Sequence, residues 1–133
     1  MKRILCVILF MLEMLIFTGC TPETYTLKRA AGEIERIEIV VANTSLDYSV
    51  KKALSPMEIV HFLEEFQKIK FNTYYIGDPM SIYGDSVKIT YQNGDYEMIC
   101  FYWSEYVENG EIYYIKKNCN ENEFNELLNQ FLD

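Results

Sequence analysis

Apolar residues recur at every second position in two runs in the first half of the chain, over residues 37–41 and 46–50. A polar triplet, Asn43, Thr44 and Ser45, separates the runs. A period of two is typical of half-buried strands, so the pattern predicts a β-hairpin. An extended aromatic stretch over residues 69–76 predicts a third strand. The loop that follows, over residues 77–86, carries two Gly-Asp pairs that favour turns.

Two other stretches have helical periodicity and helical start signals. Ser55, Pro56 and Glu58 match an N-cap, a first helical position and the third position of a capping box. They predict a helix over residues 56–68. Asn120 and Glu123 repeat this start signal before a second predicted helix. Its apolar stripe consists of Phe124, Leu127, Leu128, Phe131 and Leu132.

Two Asn-Gly pairs, at 93–94 and 109–110, predict two-residue type I′ hairpin turns, which fix strand register. Counting from the first turn places Val87 opposite Cys100. Counting from the second places Cys100 opposite Cys119. The sequence therefore predicts a cross-strand disulfide between these cysteines. Two reduced thiols are the alternative, because a hydrogen-bonded pair of positions strains the Cβ geometry of a disulfide.

These elements follow one another in the order ββαββββα. With four strands between the helices, the residues between the two Asn-Gly turns form one strand. The order predicts an α+β fold, in which an antiparallel sheet of about six strands carries two helices on one face. We expect residues 33–133 to form this single domain.

The predicted registers divide the aromatic side chains between the two faces of the sheet. One face receives the helices, and the other carries Phe101, Trp103 and Tyr114 among charged residues. Rings bordered by charges on an uncovered face are typical of a binding surface. We therefore predict binding of a peptide, protein or envelope component there, with Tyr83 in the loop at its rim. Alternatively, sheet curvature, the first hairpin or the N-terminal segment covers these rings.

The first 20 residues predict where the protein works. A basic start precedes an apolar run of 14 residues, which is shorter than the roughly 20 needed to span a bilayer and fits a signal peptide over residues 1–19. Phe17, Thr18, Gly19 and Cys20 resemble the lipobox of bacterial lipoproteins, in which small residues precede a cysteine that receives diacylglycerol. The resemblance implies lipidation of Cys20 and a place on the extracytoplasmic side of the cell membrane. An ordinary secretory signal is the alternative.

Charge and composition limit the classes of partner that the chain can bind. Residues 20–32 have little apolar periodicity and predict a lipidated cysteine with a tether, which could extend roughly 40 Å. The formal charge is −8, and loss of the leader leaves 10 basic and 19 acidic residues. Such a surface repels phosphate backbones and anionic headgroups, so no nucleic-acid partner is expected. We expect membrane attachment through the acyl chains instead.

Candidate chemistry is sparse. His61, the one histidine, lies three or four residues from Glu58, Glu64 and Glu65, which a solvated helix face explains without a metal. We expect no metal, cofactor or enzymatic activity. The sequence predicts a membrane-anchored lipoprotein that acts as a binding module. A small envelope hydrolase using carboxylates near His61 or the 77–86 loop, and a purely structural envelope lipoprotein, are the alternatives.

Overall fold

Two antiparallel sheets and two helices make up the fold. The structure, a computed structural model, describes residues 22–73 and 80–133. The expected signal peptide, Cys20 and the end of the predicted third strand lie outside these ranges. The elements are β1 (Glu23–Thr24), a 3-10 turn (Ala31–Glu33), β2 (Ile34–Thr44), β3 (Asp47–Ala53), α1 (Pro56–Phe66), β4 (Lys70–Thr73), β5 (Gly84–Tyr91), β6 (Tyr96–Ile99), β7 (Ser104–Glu108), β8 (Glu111–Tyr114), β9 (Lys117–Asn118) and α2 (Glu121–Leu132).

The larger sheet has six strands in the order β3-β2-β5-β6-β7-β8, and the smaller has three in the order β1-β4-β9. The predicted α+β class and the count of about six strands are confirmed. The expected third strand forms as β4, but it pairs with β1 and β9 and does not join the larger sheet. The smaller sheet was not predicted, because its outer strands have two residues each and leave no periodic signal.

Both predicted helices form with the caps that the sequence indicates. The Ser55 hydroxyl accepts from the backbone N–H of Glu58, and the Glu58 carboxylate accepts from the Ser55 N–H. The Asn120 side chain accepts from the Glu123 N–H. Both helices pack on one face of the larger sheet, as expected, around a core that includes Phe62, Phe66, Phe124, Leu127, Ile37 and Ile89. Neither of these helices is long and apolar enough to cross a membrane.

The first Asn-Gly pair forms a different turn from the predicted one. The Gly94 N–H donates to the Tyr91 carbonyl, and the Tyr91 N–H donates to the Asp95 carbonyl, so the loop has three residues. Gly94 has a φ of 91°, which fits a type I turn followed by a left-handed residue. The extra loop residue shifts the register by one. Val87 therefore lies opposite Ile99 and not opposite Cys100, so the predicted pairing is wrong.

The second Asn-Gly pair forms the predicted type I′ turn. Asn109 and Gly110 have φ values of 51° and 78°, and Glu108 lies opposite Glu111. However, the residues between the two turns do not form one strand. The Cys100 N–H donates to the Trp103 carbonyl at 2.9 Å, which closes an additional hairpin between β6 and β7.

This hairpin removes the basis of the predicted disulfide. Cys100 lies at the start of the turn, so it is not a strand residue opposite Cys119, and both cysteines are free thiols. The sequence between Cys100 and Trp103 contains no Gly, Pro, Asn or Asp, so it carries no turn signal.

The segment after Cys20 is not a free tether in its described part. β1 pairs with β4, and the Tyr25 side chain is buried in the helix-face core. The Tyr25 ring lies 5.4 Å from Phe66 and 5.0 Å from Phe71 between centroids. The expected tether is therefore corrected: from Glu23 onward the chain belongs to the folded domain.

The other face of the larger sheet is covered as well. A second core forms there from Val40, Ala42, Ile82, Met98, Cys100 and Trp103. The Tyr96 hydroxyl donates to the Ser45 carbonyl at 2.6 Å, so the β2–β3 turn folds over this face and reaches β6. The β2–β3 turn and Ile82 thus help to bury side chains that the alternation pattern placed on an open surface.

Candidate functional site

The four residues predicted to form a binding surface have different environments. Trp103 is fully buried, so its expected place on an open face is wrong. Tyr83 is 68% exposed and Tyr114 is 48% exposed, while Phe101 is half-buried and packs against the helix-face core. The Tyr114 ring lies 5.8 Å from the Trp103 ring, which makes Tyr114 part of the cover over that tryptophan. Exposed aromatic surface therefore remains at Tyr83, Tyr114 and the accessible part of Phe101.

A shallow depression of about 260 Å³ lies beside Phe101. We call it the Phe101 depression, and it is lined by Met80, Phe101, Tyr102, Asn118 and Cys119. The β6–β7 hairpin supplies its two rings, which meet edge to face with centroids 5.0 Å apart. The segment that joins β9 to α2 supplies Cys119. Of the predicted residues, Phe101 lines the depression, and Tyr83 lies close to Tyr102.

Three hydrogen-bond contacts to backbone carbonyls hold these parts together. The Cys119 N–H donates to the Phe101 carbonyl at 2.7 Å, which joins the end of β9 to the hairpin. The Tyr102 hydroxyl contacts the Ser81 carbonyl at 3.0 Å and the Tyr83 carbonyl at 3.4 Å. Tyr102 thus holds the 80–83 segment against the hairpin.

The ionisable groups of the depression are held neutral. Burial raises the pKa of the Cys100 thiol to about 11, and burial together with the nearby Cys100 raises the pKa of Cys119 to about 12. Burial and the same cysteine raise the pKa of the Tyr102 hydroxyl to about 12. The thiolate, not the thiol, is the nucleophile in cysteine chemistry. The depression is therefore suited to apolar contact and poorly suited to nucleophilic catalysis at neutral pH.

Charged side chains lie buried under the β2–β3 turn, where the sequence pattern predicted an open face. The Trp103 indole N–H donates to Glu105 at 2.9 Å, and the Ser45 hydroxyl donates to the same carboxylate. The Lys88 ammonium lies 3.9 Å from the Glu38 carboxylate. The same ammonium lies 4.5 Å from the ring centroids of Tyr48 and Tyr96, which is within the range of cation–π attraction. These partners satisfy the buried charges, so the cluster acts as a core and offers no open binding surface.

Another buried carboxylate, Glu97, lies on the helix face of the larger sheet. Glu97 is fully buried and accepts from the Tyr25 hydroxyl at 2.9 Å, from the Tyr91 hydroxyl and from the Lys28 backbone N–H at 3.1 Å. Burial raises its pKa, and these donors partly oppose the rise. Beside it, the Tyr106 hydroxyl donates to Asp95 at 2.8 Å, and this contact lowers the Asp95 pKa. Glu97 therefore joins the N-terminal segment to β5 and β6.

His61, near which the alternative of an envelope hydrolase requires carboxylates, does not line the groove that contains Glu65. His61 is exposed, and its ring lies 5.4 Å from the ring of Phe131. A shallow groove between the helices carries Glu65, Glu123 and Glu126, but Glu65 is paired with Lys68 at 2.6 Å. Within residues 22–73 and 80–133, no group of three or more His, Cys, Asp and Glu side chains could hold a metal ion.

Sequence reasoning did not assign four residues to the Phe101 depression, namely Met80, Tyr102, Asn118 and Cys119. The predicted register placed Tyr102 on the helix-covered face of the sheet and paired Cys119 with Cys100, so neither was expected at a surface depression. The one available signal was the density of rings at residues 101–103, which is high for a solvent-exposed strand. Comparison with protein-family models, with curated proteins and with solved structures found no match.

Proposed function

We propose that this chain is a membrane-anchored extracytoplasmic lipoprotein whose domain binds an apolar side chain of a peptide or protein in the Phe101 depression. One observation carries the proposal: on a strongly acidic chain, a neutral, ring-lined depression includes Tyr102, whose hydroxyl contacts the backbone carbonyl of the highly exposed Tyr83. Exposed aromatic rings beside an apolar recess are typical of interaction sites.

The dimensions and charge favour this class of ligand. Small-molecule sites usually enclose about 300–1,000 Å³. A shallow depression of about 260 Å³ fits one large side chain better than a whole cofactor. The formal charge of −8 attracts cationic partners and speeds their encounter. A cationic peptide or protein segment that carries an exposed aromatic or aliphatic residue therefore fits the site best.

The leader supports the proposed location. The lipobox-like residues end at Cys20, and two or more acyl chains on one cysteine meet the requirement for stable anchoring. The acidic domain has no charge attraction of its own for an anionic membrane, so the acyl chains supply the attachment.

Photo-crosslinking tests the binding surface. A photoreactive phenylalanine analogue placed at position 83 in cells of the bacterium that encodes the chain should capture a defined partner. The same analogue at position 113 is the matched control, because Tyr113 is 47% exposed but lies on β8, away from the depression. Equal crosslinking patterns at both positions would contradict the proposal.

A substitution then tests the contact itself. Tyr83→Ala removes an exposed ring without opening the core, so the fold should be retained. We expect affinity for the captured partner to fall roughly tenfold, as about 1–2 kcal/mol is typical of a moderate interface contact. Tyr113→Ala should leave the affinity unchanged. An unaltered affinity in Tyr83→Ala would remove this ring from the site.

Anchoring is tested separately with Cys20→Ala. Loss of the acylated cysteine should release the protein from the membrane fraction into the medium or periplasm. Membrane retention equal to that of the unaltered chain would show that another feature holds the protein, and would leave the binding surface as an independent question.

A further inference from the structure

The strand nearest the proposed anchor is built into the domain. In β1, Glu23 lies opposite Phe71 and Thr24 lies opposite Lys70, both in β4. The Lys70 ammonium also donates to the Thr24 hydroxyl at 3.1 Å. The chain is therefore paired with the smaller sheet from Glu23 onward.

Contacts farther along the segment hold β1 in place. Tyr25 is 6% exposed, and its hydroxyl donates to the buried Glu97 carboxylate. The Lys28 backbone N–H donates to the same carboxylate at 3.1 Å, and the Arg29 guanidinium lies 3.4 Å from Asp95. Releasing this segment would break all these contacts and take two of its three donors from the Glu97 carboxylate, which is costly.

The remaining length between anchor and domain is therefore very short. Only Thr21 and Pro22 separate Cys20 from β1. Three residue steps reach at most about 10 Å in a fully extended chain. Residues 21–32, if free, would have reached roughly 40 Å. The pairing of β1 removes most of that freedom and restricts how the domain can turn relative to an acylated Cys20.

We propose that the exposed surface formed by β1 and β4 rests against the lipid bilayer. This inference rests on the proposed lipidation of Cys20. The exposed residues of these two strands are Glu23, Thr24, Lys70, Asn72 and Thr73. They carry one charge of each sign, whereas the whole chain carries −8. This surface is therefore less repelled by anionic headgroups than the domain as a whole, and Lys70 is available to lipid phosphates.

The same geometry places the Phe101 depression close to the membrane. β9 is the third strand of the smaller sheet, and Asn118 lies opposite Asn72. Cys119, which lines the depression, directly follows β9. Two strand spacings amount to about 10 Å, and the reach from Cys20 to β1 adds about 10 Å. The depression therefore lies within about 20 Å of the bilayer surface. A ligand there would be a peptide or protein segment at the membrane surface.

Quenching by spin-labelled headgroups tests this arrangement in the full chain. The acylated protein is purified from bacterial membranes and reconstituted into vesicles of phosphatidylethanolamine and phosphatidylglycerol. A fluorophore is attached through p-azidophenylalanine at position 70 or, as the matched control, at position 57. Met57 is 84% exposed at the N-terminal end of α1, whereas β4 follows the C-terminal end of this helix. Eleven helical residues span about 16 Å, which exceeds the reach of contact quenching from the β4 side.

We expect quenching at position 70 to exceed that at position 57 by about twofold or more, given this separation. Twelve Gly and Ser residues inserted between Thr21 and Pro22 should abolish the difference, because a flexible linker lets the domain rotate freely. Equal quenching at both positions of the acylated, native-length chain overturns the docking proposal alone. The same conclusion follows if the insertion changes nothing. Absence of acyl groups on Cys20 by mass spectrometry overturns the docking and the anchoring proposals together.

Discussion

Tyr25→Phe provides a sharp test of whether the N-terminal segment is part of the fold. The substitution keeps the ring that packs on Phe66 and Phe71 and removes the hydroxyl that donates to Glu97. A hydrogen bond to a charged group contributes about 1.5–3 kcal/mol to stability, against about 0.5–1.5 kcal/mol for a bond between neutral groups. Where Glu97 is ionised, we therefore expect a loss of about 1.5–3 kcal/mol in the free energy of unfolding.

The pH dependence of this loss follows from the Glu97 carboxylate. Burial raises its folded-state pKa, so the folded state binds the proton more tightly than the unfolded state. The stability contribution is complete below the ordinary glutamate pKa and falls as pH rises through the raised folded pKa. Losing the Tyr25 donor raises that pKa further. The difference in unfolding free energy between the variant and the unaltered protein should therefore be smallest in acid and grow as the pH rises through the folded-state pKa of Glu97.

Urea unfolding at several pH values measures both effects. The buried Trp103 is the one tryptophan of the chain, so its fluorescence reports unfolding without added labels. Tyr113→Phe is the matched control, because it removes an exposed hydroxyl that contacts Glu111 and should change stability by less than about 0.5 kcal/mol. The reasoning is refuted if Tyr25→Phe costs no more than the control, or if its cost is independent of pH.

Three further variants or measurements address other parts of the fold. Trp103→Phe should cost about 2–4 kcal/mol in urea unfolding, because it creates a cavity and takes the indole N–H from Glu105; a loss below that range would contradict the role of this bond. Gly110→Ala should lower stability by about 1–2 kcal/mol owing to its positive φ, whereas Gly32→Ala, with open space and no positive φ, should be nearly neutral in thermal unfolding. Cys119 should react with iodoacetamide at pH 8 at least about a thousandfold more slowly than a thiolate and speed up on unfolding; rapid labelling of the native protein would argue against its raised pKa.

Local signals in the sequence were sufficient for the helices and for one turn. Ser55 and Asn120 cap their helices as expected, since each side chain accepts from a backbone N–H only three positions away. The turn at Asn109 also forms as predicted, because both of its central residues adopt positive φ. These features depend on nearby backbone and side-chain groups, so a local pattern contains the information that determines them.

The register of β6 could not be read from its turn in the same way. An Asn-Gly pair is compatible with both a two-residue and a three-residue loop, and the choice at Asn93 depends on how the strands pack afterward. The three-residue loop places Glu97 on the helix face, where Tyr25 and Lys28 satisfy its carboxylate. These donors come from about 70 residues away along the chain, so no window around the turn contains them. A long-range contact thus accompanies a register that the local pattern leaves open.

The candidate site shows the same dependence on distant contacts. The alternation of apolar and polar residues distinguishes the two sides of a strand, but it does not reveal whether the polar side is exposed to solvent. Here the β2–β3 turn covers that side, and the charged side chains beneath it, Lys88 and Glu105 among them, find partners within the protein. Covering both faces removes Trp103 from the surface. The proposed contact with a partner lies instead beside Phe101, whose backbone carbonyl accepts from the Cys119 N–H. Cys119 follows β9, which pairs with β4, and β4 pairs with β1, the strand that follows the proposed anchor.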